Sequence, residues 1–196
     1  MRAGRMKILG LTGSIGMGKS ETARMFKNLR IPVFEADAAV HKLLAKNGAA
    51  VPYIEKHFPD CVEKSAVDRQ ALGRKIFADP TLKKQLEAIM HPLVREAENH
   101  FLKRMRQQRK HVVVLDIPLL FETAANERCD EVIVVTAPAM VQRHRVLKRT
   151  GMTEQKFHDI LRLQIPDAEK RRRADIIVHT GLGKRVTLCE IVGLLL

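Results

Sequence analysis

Short apolar runs alternate along this chain with longer segments of helical period. Ile8-Leu9-Gly10-Leu11-Thr12 is apolar and runs into glycines, the pattern of a parallel strand buried on both faces. From Ser20 a helix is expected, with Ala23, Met25, Phe26 and Leu29 on its apolar side. Ile31-Pro32-Val33-Phe34 predicts a second short strand, and Pro32 suits its start. From about Ala38 to Met105 the pattern is almost entirely helical. Leu82, Leu86, Ile89 and Met90 recur at helical spacing, as do Leu93, Val94, Ala97 and Phe101, and Pro52, Pro59, Pro80 and Pro92 punctuate the stretch. That is far more chain than one crossover between parallel strands needs, so it predicts an inserted helical lobe.

Strand patterns return at Val112 to Leu115, Val132 to Val135 and Ile176 to Val178. Between them lie a basic helix from Pro138 to Arg149 and a helix from Thr153 to Leu163. The chain closes on a helix from Val186 to Leu196 with Leu188, Ile191, Val192 and Leu195 apolar. Strands alternating with helices predict an α/β fold, a parallel sheet covered on both faces.

A chain of 196 residues can bury a core of its own without a disulfide or metal staple. No apolar run approaches the roughly 20 residues that cross a bilayer. The basic start Met1-Arg2-Ala3-Gly4-Arg5 is followed by no signal-type apolar core, and either Met1 or Met6 could begin translation. A cytoplasmic protein is expected. Cys61, Cys129 and Cys189 form no CxxC pattern and read as small buried or half-buried thiols. The net charge of +13 fits a nucleic-acid partner or a phosphate-rich small molecule. With no Trp and one Tyr, Tyr53, the basic clusters lack the stacking aromatics of single-strand binders. A small anionic ligand is the better expectation.

Gly13-Ser14-Ile15-Gly16-Met17-Gly18-Lys19-Ser20 satisfies GxxxxGK[ST] at every fixed position. Glycines let the backbone wrap so that its N–H groups face phosphate oxygens, and the next helix adds its positive end. Lys19 is suited to the β- and γ-phosphates of ATP, and the Ser20 hydroxyl to Mg²⁺. Gly181-Leu182-Gly183-Lys184 resembles this motif only superficially, because Arg185 stands where a hydroxyl is required. Asp116, closing the run Val112 to Leu115, could hold Mg²⁺ through water or simply cap the next turn. The absence of an NKxD segment argues against a GTPase. Asp37, just beyond the second strand, could orient an acceptor hydroxyl and take its proton, or could cap the helix that follows.

The chain from about Lys7 to Gly181 resembles the dephospho-coenzyme A kinase family, a P-loop NTPase-type group. Four features carry the likeness: the phosphate loop preceded by Thr12, Glu35-Ala36-Asp37 followed by His41, His91-Pro92-Leu93-Val94-Arg95, and Pro118-Leu119-Leu120-Phe121-Glu122. The stretch from Gln164 to Ile177, with Arg173-Ala174-Asp175, adds a fifth. The resemblance implies ATP- and Mg²⁺-dependent phosphorylation of the ribose 3′-hydroxyl of dephospho-CoA, without nucleic acid or membrane, by a monomer or weak homo-oligomer. It implies a nucleotide-binding core over 1–39, 107–142 and 171–196, a helical acceptor lobe over 40–106 and a lid over 143–170. Asp37 would face the hydroxyl and Thr12 and Lys19 the transferring group. Glu21 would extend the nucleotide contacts of residues 13 to 20. His91, Arg95, Leu119 and Glu122 would contact the acceptor, and Arg143 and Arg149 would close from the lid. Glu35 in place of Asp, Glu21 in place of Thr, and His179-Thr180 where Asn is common depart from the family pattern. Asp116 is an acid that not all members share.

Overall fold

The computed structural model describes residues 5–195, so expectations placed on Met1 to Gly4 and on Leu196 lie outside the described residues. The chain divides into two compact units, one formed by residues 1–34 with 105–196 and the other by residues 35–104.

The first unit is built on a five-stranded sheet: β1 (Lys7–Thr12), β2 (Val33–Glu35), β5 (Val112–Asp116), β6 (Glu131–Thr136) and β7 (Ile176–His179), in the order β2-β5-β1-β6-β7. β1 runs parallel to both β5 and β6, and β6 runs parallel to β7. The inner strands β1, β5 and β6 are apolar on both faces because both faces are covered. Leu9 and Leu11 pack with Val114, Ile133, Val135 and Val178 against Ala23, Met25 and Phe26 of α1 (Lys19–Asn28) and Ile191 of α9 (Lys184–Gly193). Gly10 points the other way, where a Cβ would meet Cys129 Sγ at 2.7 Å and Leu120 at 3.0 Å. The carboxylates of Asp130 and Asp175 accept the N–H groups of Ile8 and Val132, each at 2.8 Å, anchoring the entry to β1 and β6. Asp175 of the Arg173-Ala174-Asp175 motif therefore has a structural task.

Three helices lie between β6 and the chain end before α9: α6 (Ala139–Leu147), α7 (Glu154–Arg162) and α8 (Asp167–Arg173). Thr153 caps α7, its hydroxyl accepting the Lys156 N–H at 3.2 Å. α9 turns its middle differently from the apolar pattern. Thr187 and Ile191 are buried while Leu188 and Val192 stay more than a third exposed. Cys189 is exposed rather than buried, Cys61 is buried and Cys129 lies between.

The second unit comprises α2 (Ala36–Leu44), α3 (Val51–His57), α4 (Arg69–Ala78) and most of α5 (Pro80–Gln107). Its own core gathers Leu44, Val51, Ile54, Phe58, Cys61, Val67, Leu72 and Met90. It is not wholly helical, since β3 (Val62–Glu63) and β4 (Ala66–Val67) form a small antiparallel hairpin. Asp68 caps α4, accepting the N–H groups of Gln70 and Ala71 at 2.8 and 3.1 Å. No helix among the described residues is long and apolar enough to cross a membrane.

Candidate active site

β1 lies at the centre of the sheet, and the phosphate loop leaves its carboxyl end, the edge at which ligands of open α/β sheets bind. Two glycines are demanded by the geometry. Gly18 sits at φ 94°, where an L-residue is strained, and it precedes α1 with no side chain capping the helix. The first amides of α1 are thus left for an outside acceptor, as anion-binding helix starts require. At Gly13 a Cβ would lie 2.4 Å from Val135 Cγ2 and 2.8 Å from the Val135 carbonyl oxygen. Backbone cannot yield there as a side chain can. Gly13→Ala is expected to destabilise the protein by about 3 kcal/mol, the upper end of ordinary overpacking, and to weaken nucleotide binding at the same time. Thermal unfolding and nucleotide titration of the same variant check both effects.

Around the loop, side chains from distant parts of the first unit hold its backbone. Gln142 of α6 donates from Nε2 to the Ile15 carbonyl at 2.9 Å, and the Ile15 N–H donates to Gln164 Oε1 at 3.0 Å. Arg145 donates to the Thr180 hydroxyl at 2.9 Å and to its carbonyl at 2.7 Å, and reaches the Gly16 carbonyl at 3.5 Å. The Thr180 hydroxyl in turn lies 2.6 Å from the Met17 carbonyl. None of Gln142, Arg145, Gln164 and Thr180 stands out in the sequence as a phosphate-loop contact. The only local signal is the spacing of Gln142, Arg145 and Val146, which puts them on one face of α6.

Lys19 Nζ lies 2.7 Å from Asp116 Oδ1, with the two side chains 15% and 7% exposed. The sheet register explains the meeting, since Asp116 ends β5 opposite Leu11 of β1. Ser20 is exposed at the start of α1. Glu21 pairs with Arg24 and with Lys184 at 3.1 Å, and its carboxyl is held below the ordinary range by hydrogen bonding from Arg24 and then Lys184. The Gly181-Leu182-Gly183-Lys184 segment thus serves as the entry to α9 and packs beside α1, not as a second phosphate loop. The Thr12 hydroxyl is fully buried and donates to the Pro118 carbonyl at 3.0 Å.

In the same unit, Leu119 is 40% exposed. Glu122 Oε1 accepts the Ile165 N–H at 2.9 Å and stands 2.8 Å from Nζ of the fully buried Lys170. Burial pushes the Glu122 carboxyl up, but the Lys170 ammonium beside it and the Ile165 N–H outweigh this and leave it below the ordinary range. Arg143 pairs with Glu154 across α6 and α7, and Arg149 is exposed beyond the end of α6. A cleft of about 500 Å³ is lined by Met17, Thr136, Pro138, Asp167, His179 and Leu182, among others.

In the second unit, Asp37 lies in the first turn of α2, exposed and without a hydrogen bond or ion pair among the described residues. It does not cap that helix, since Glu35 occupies the cap position. His91 and Arg95 are both exposed on α5, one turn apart and so on one face. Pro92 between them removes one backbone donor from the middle of the helix.

Comparison with known proteins agrees with this construction. A family model described as dephospho-CoA kinase matches residues 7–183. A dephospho-CoA kinase of Mesorhizobium japonicum is 52% identical over 95% of this chain and 93% of its own length. Another from Paramagnetospirillum magneticum is 58% identical over 85% of this chain and 78% of its length. Among solved structures, a Thermus thermophilus protein superposes with a TM-score of 0.86 at 32% identity, covering 98% of this chain and 97% of its own. A dephospho-CoA kinase from Campylobacter jejuni gives 0.74 at 26% identity, covering 97% and 96%. With the phosphate loop, its flanking elements and the downstream motifs all inside the matched span, this chain belongs to the dephospho-CoA kinase family.

Proposed function

We propose that this protein transfers the γ-phosphoryl group of ATP to the ribose 3′-hydroxyl of dephospho-CoA, giving CoA and ADP, the final step of coenzyme A synthesis. The observation that carries the reading is an intact phosphate loop on the central strand of a chain that belongs to this kinase family. The phosphate loop and Lys19 hold the phosphates of ATP, and the cleft beside Met17, Pro138 and His179 takes its base. His91 and Arg95, on one exposed face of α5, suit the anionic groups of the acceptor, with Leu119 as an apolar contact.

Asp37 orients the acceptor hydroxyl. The hydroxyl oxygen attacks the γ-phosphorus, its proton passes to the Asp37 carboxylate, and the bond to the β–γ bridging oxygen breaks so that ADP leaves with the electron pair. Arg143 and Arg149 neutralise charge developing on the phosphoryl oxygens once the α6–α7 region closes, and Arg143 must leave Glu154 to do so. Closure also excludes water, which would otherwise take the phosphoryl group. A hydroxyl and a carboxylate are the oxygen donors that magnesium prefers alongside substrate phosphates, and Ser20 and Asp116 fit that role. When bound, the ion would neutralise phosphate charge, and Asp116, now paired with Lys19, would supply a carboxylate oxygen beside it. The reading includes a cytoplasmic setting and a monomer or weak homo-oligomer.

The test is ADP release with ATP and Mg²⁺ in the presence of dephospho-CoA, AMP, shikimate, single-stranded RNA or no acceptor. Stimulation by dephospho-CoA alone, with one phosphate added to the product, is expected. Stimulation by AMP or shikimate instead would keep the kinase and discard the acceptor, and stimulation by RNA would replace the kinase with a nucleic-acid-dependent ATPase.

A further inference from the structure

α8 carries four consecutive basic residues, Lys170 to Arg173, and three of them behave as a solvated helix end should. Arg171 pairs with Asp167, and Arg172 and Arg173 pair with Glu169, all near the surface. Lys170 alone turns inward and is fully buried. An ammonium group taken out of water is costly, and the cost is offset only by close pairing. Its partner is Glu122, which follows β5 in the Pro118 to Glu122 motif, at 2.8 Å.

The same carboxylate oxygen, Oε1, also accepts the Ile165 N–H at 2.9 Å. Glu122 therefore grips the chain on both sides of Pro166, where it turns into α8. The neighbouring residue, Gln164, accepts the N–H of Ile15 in the phosphate loop at 3.0 Å, opposite the bond from Gln142 to the Ile15 carbonyl. A continuous path runs from a buried cation through a carboxylate and one peptide to the loop that would cradle phosphates. Glu122 Oε2 has no hydrogen-bond partner among the described residues, so the carboxylate is held by one edge only.

We propose that Lys170 and Glu122 are positioning residues for the phosphate loop: their ion pair sets the place of Gln164, and Gln164 sets the orientation of the loop at Ile15. Glu122 thereby acts on nucleotide affinity and not through contact with the acceptor. The proposal rests on the phosphate-loop part of the function above and is independent of which acceptor is used. Small displacements of supporting groups are enough to loosen such a site.

The test reads the Kd of ATP and of ADP without acceptor, by calorimetry, with thermal unfolding in parallel. Gln164→Leu and Lys170→Met are each expected to raise both Kd values about tenfold, and the double variant no more than about twofold beyond the weaker-binding single one, because sites on one path do not add. Glu122→Gln keeps an oxygen for the Ile165 N–H and is expected to bind ATP more weakly than the parent but better than Lys170→Met. Should Lys170→Met not fold, the Glu122→Gln and Gln164→Leu pair makes the same comparison. A folded Lys170→Met or Glu122→Gln protein with parental Kd values overturns the proposal, as do multiplying effects in the double variant. Failure of the acceptor assignment would show in turnover alone, never in these Kd values.

Discussion

Replacing Lys19 by Met is expected to lower kcat/KM for ATP about a thousandfold, the scale on which a single donor to developing charge matters. Two consequences of one side chain add here. In the proposed mechanism Lys19 is the flexible cation for the β- and γ-phosphates, and Arg24, the next basic residue on α1, is paired with Glu21. Lys19 also lies 2.7 Å from Asp116, whose side chain is only 7% exposed. Removing the cation is therefore also expected to destabilise the protein, by about 2 kcal/mol, less than for a fully buried pair because Lys19 keeps some access to water. Asp116→Asn is a useful control, since it removes the charge that Lys19 pairs with and leaves Lys19 itself in place. Steady-state kinetics with ATP varied, together with thermal unfolding, separates the two consequences; parental kcat/KM in Lys19→Met would remove Lys19 from the mechanism.

Asp37→Asn is expected to lower kcat by about a hundredfold or more while leaving the KM for ATP nearly unchanged. The contrast with Lys19 follows from position. Asp37 is exposed in the first turn of α2 and holds no hydrogen bond or ion pair among the described residues that its loss would break. A structural role would show as lost stability, and little is expected because Glu35, not Asp37, sits at the helix cap. Asn keeps the size and one acceptor oxygen but cannot take the proton. Near-parental kcat in Asp37→Asn, with unfolding unchanged, would assign the proton to water or to another group.

The outcome differs between parts of the chain for identifiable reasons. β1, the phosphate loop and α1 were legible because each depends on its own residues: a doubly buried strand, glycines at fixed spacing, then an apolar helix face. The hairpin β3–β4 was not, because each strand has two residues and its turn carries the usual signal in neither place. Lys64 and Ser65 adopt φ of 50° and 60°, where Asn or Gly would be expected. In α9 the apolar pattern picked out Leu188, Ile191, Val192 and Leu195; contact with α1 and the sheet buried Ile191 as expected but put Thr187 inside and left Leu188 and Val192 partly exposed. The Thr187 hydroxyl lies 3.1 Å from the carbonyls of His179 and Gly183, which makes that burial tolerable.

The residues around the loop divide in the same way. The sequence by itself determined the α/β class, the phosphate loop and its place between strand and helix, and the family, because periodicity and fixed glycine spacing are local properties of the chain. Only the tertiary structure decided that Asp37 leaves the helix cap to Glu35, that Lys19 rests on Asp116, and that Lys170 is buried while Arg171 to Arg173 are not. It alone brought Gln142, Gln164, Arg145 and Thr180 onto the loop from residues more than a hundred positions away. Such contacts are set by strand order and by which face of each helix turns inward, and a run of four basic residues carries no mark of which one the sheet will bury.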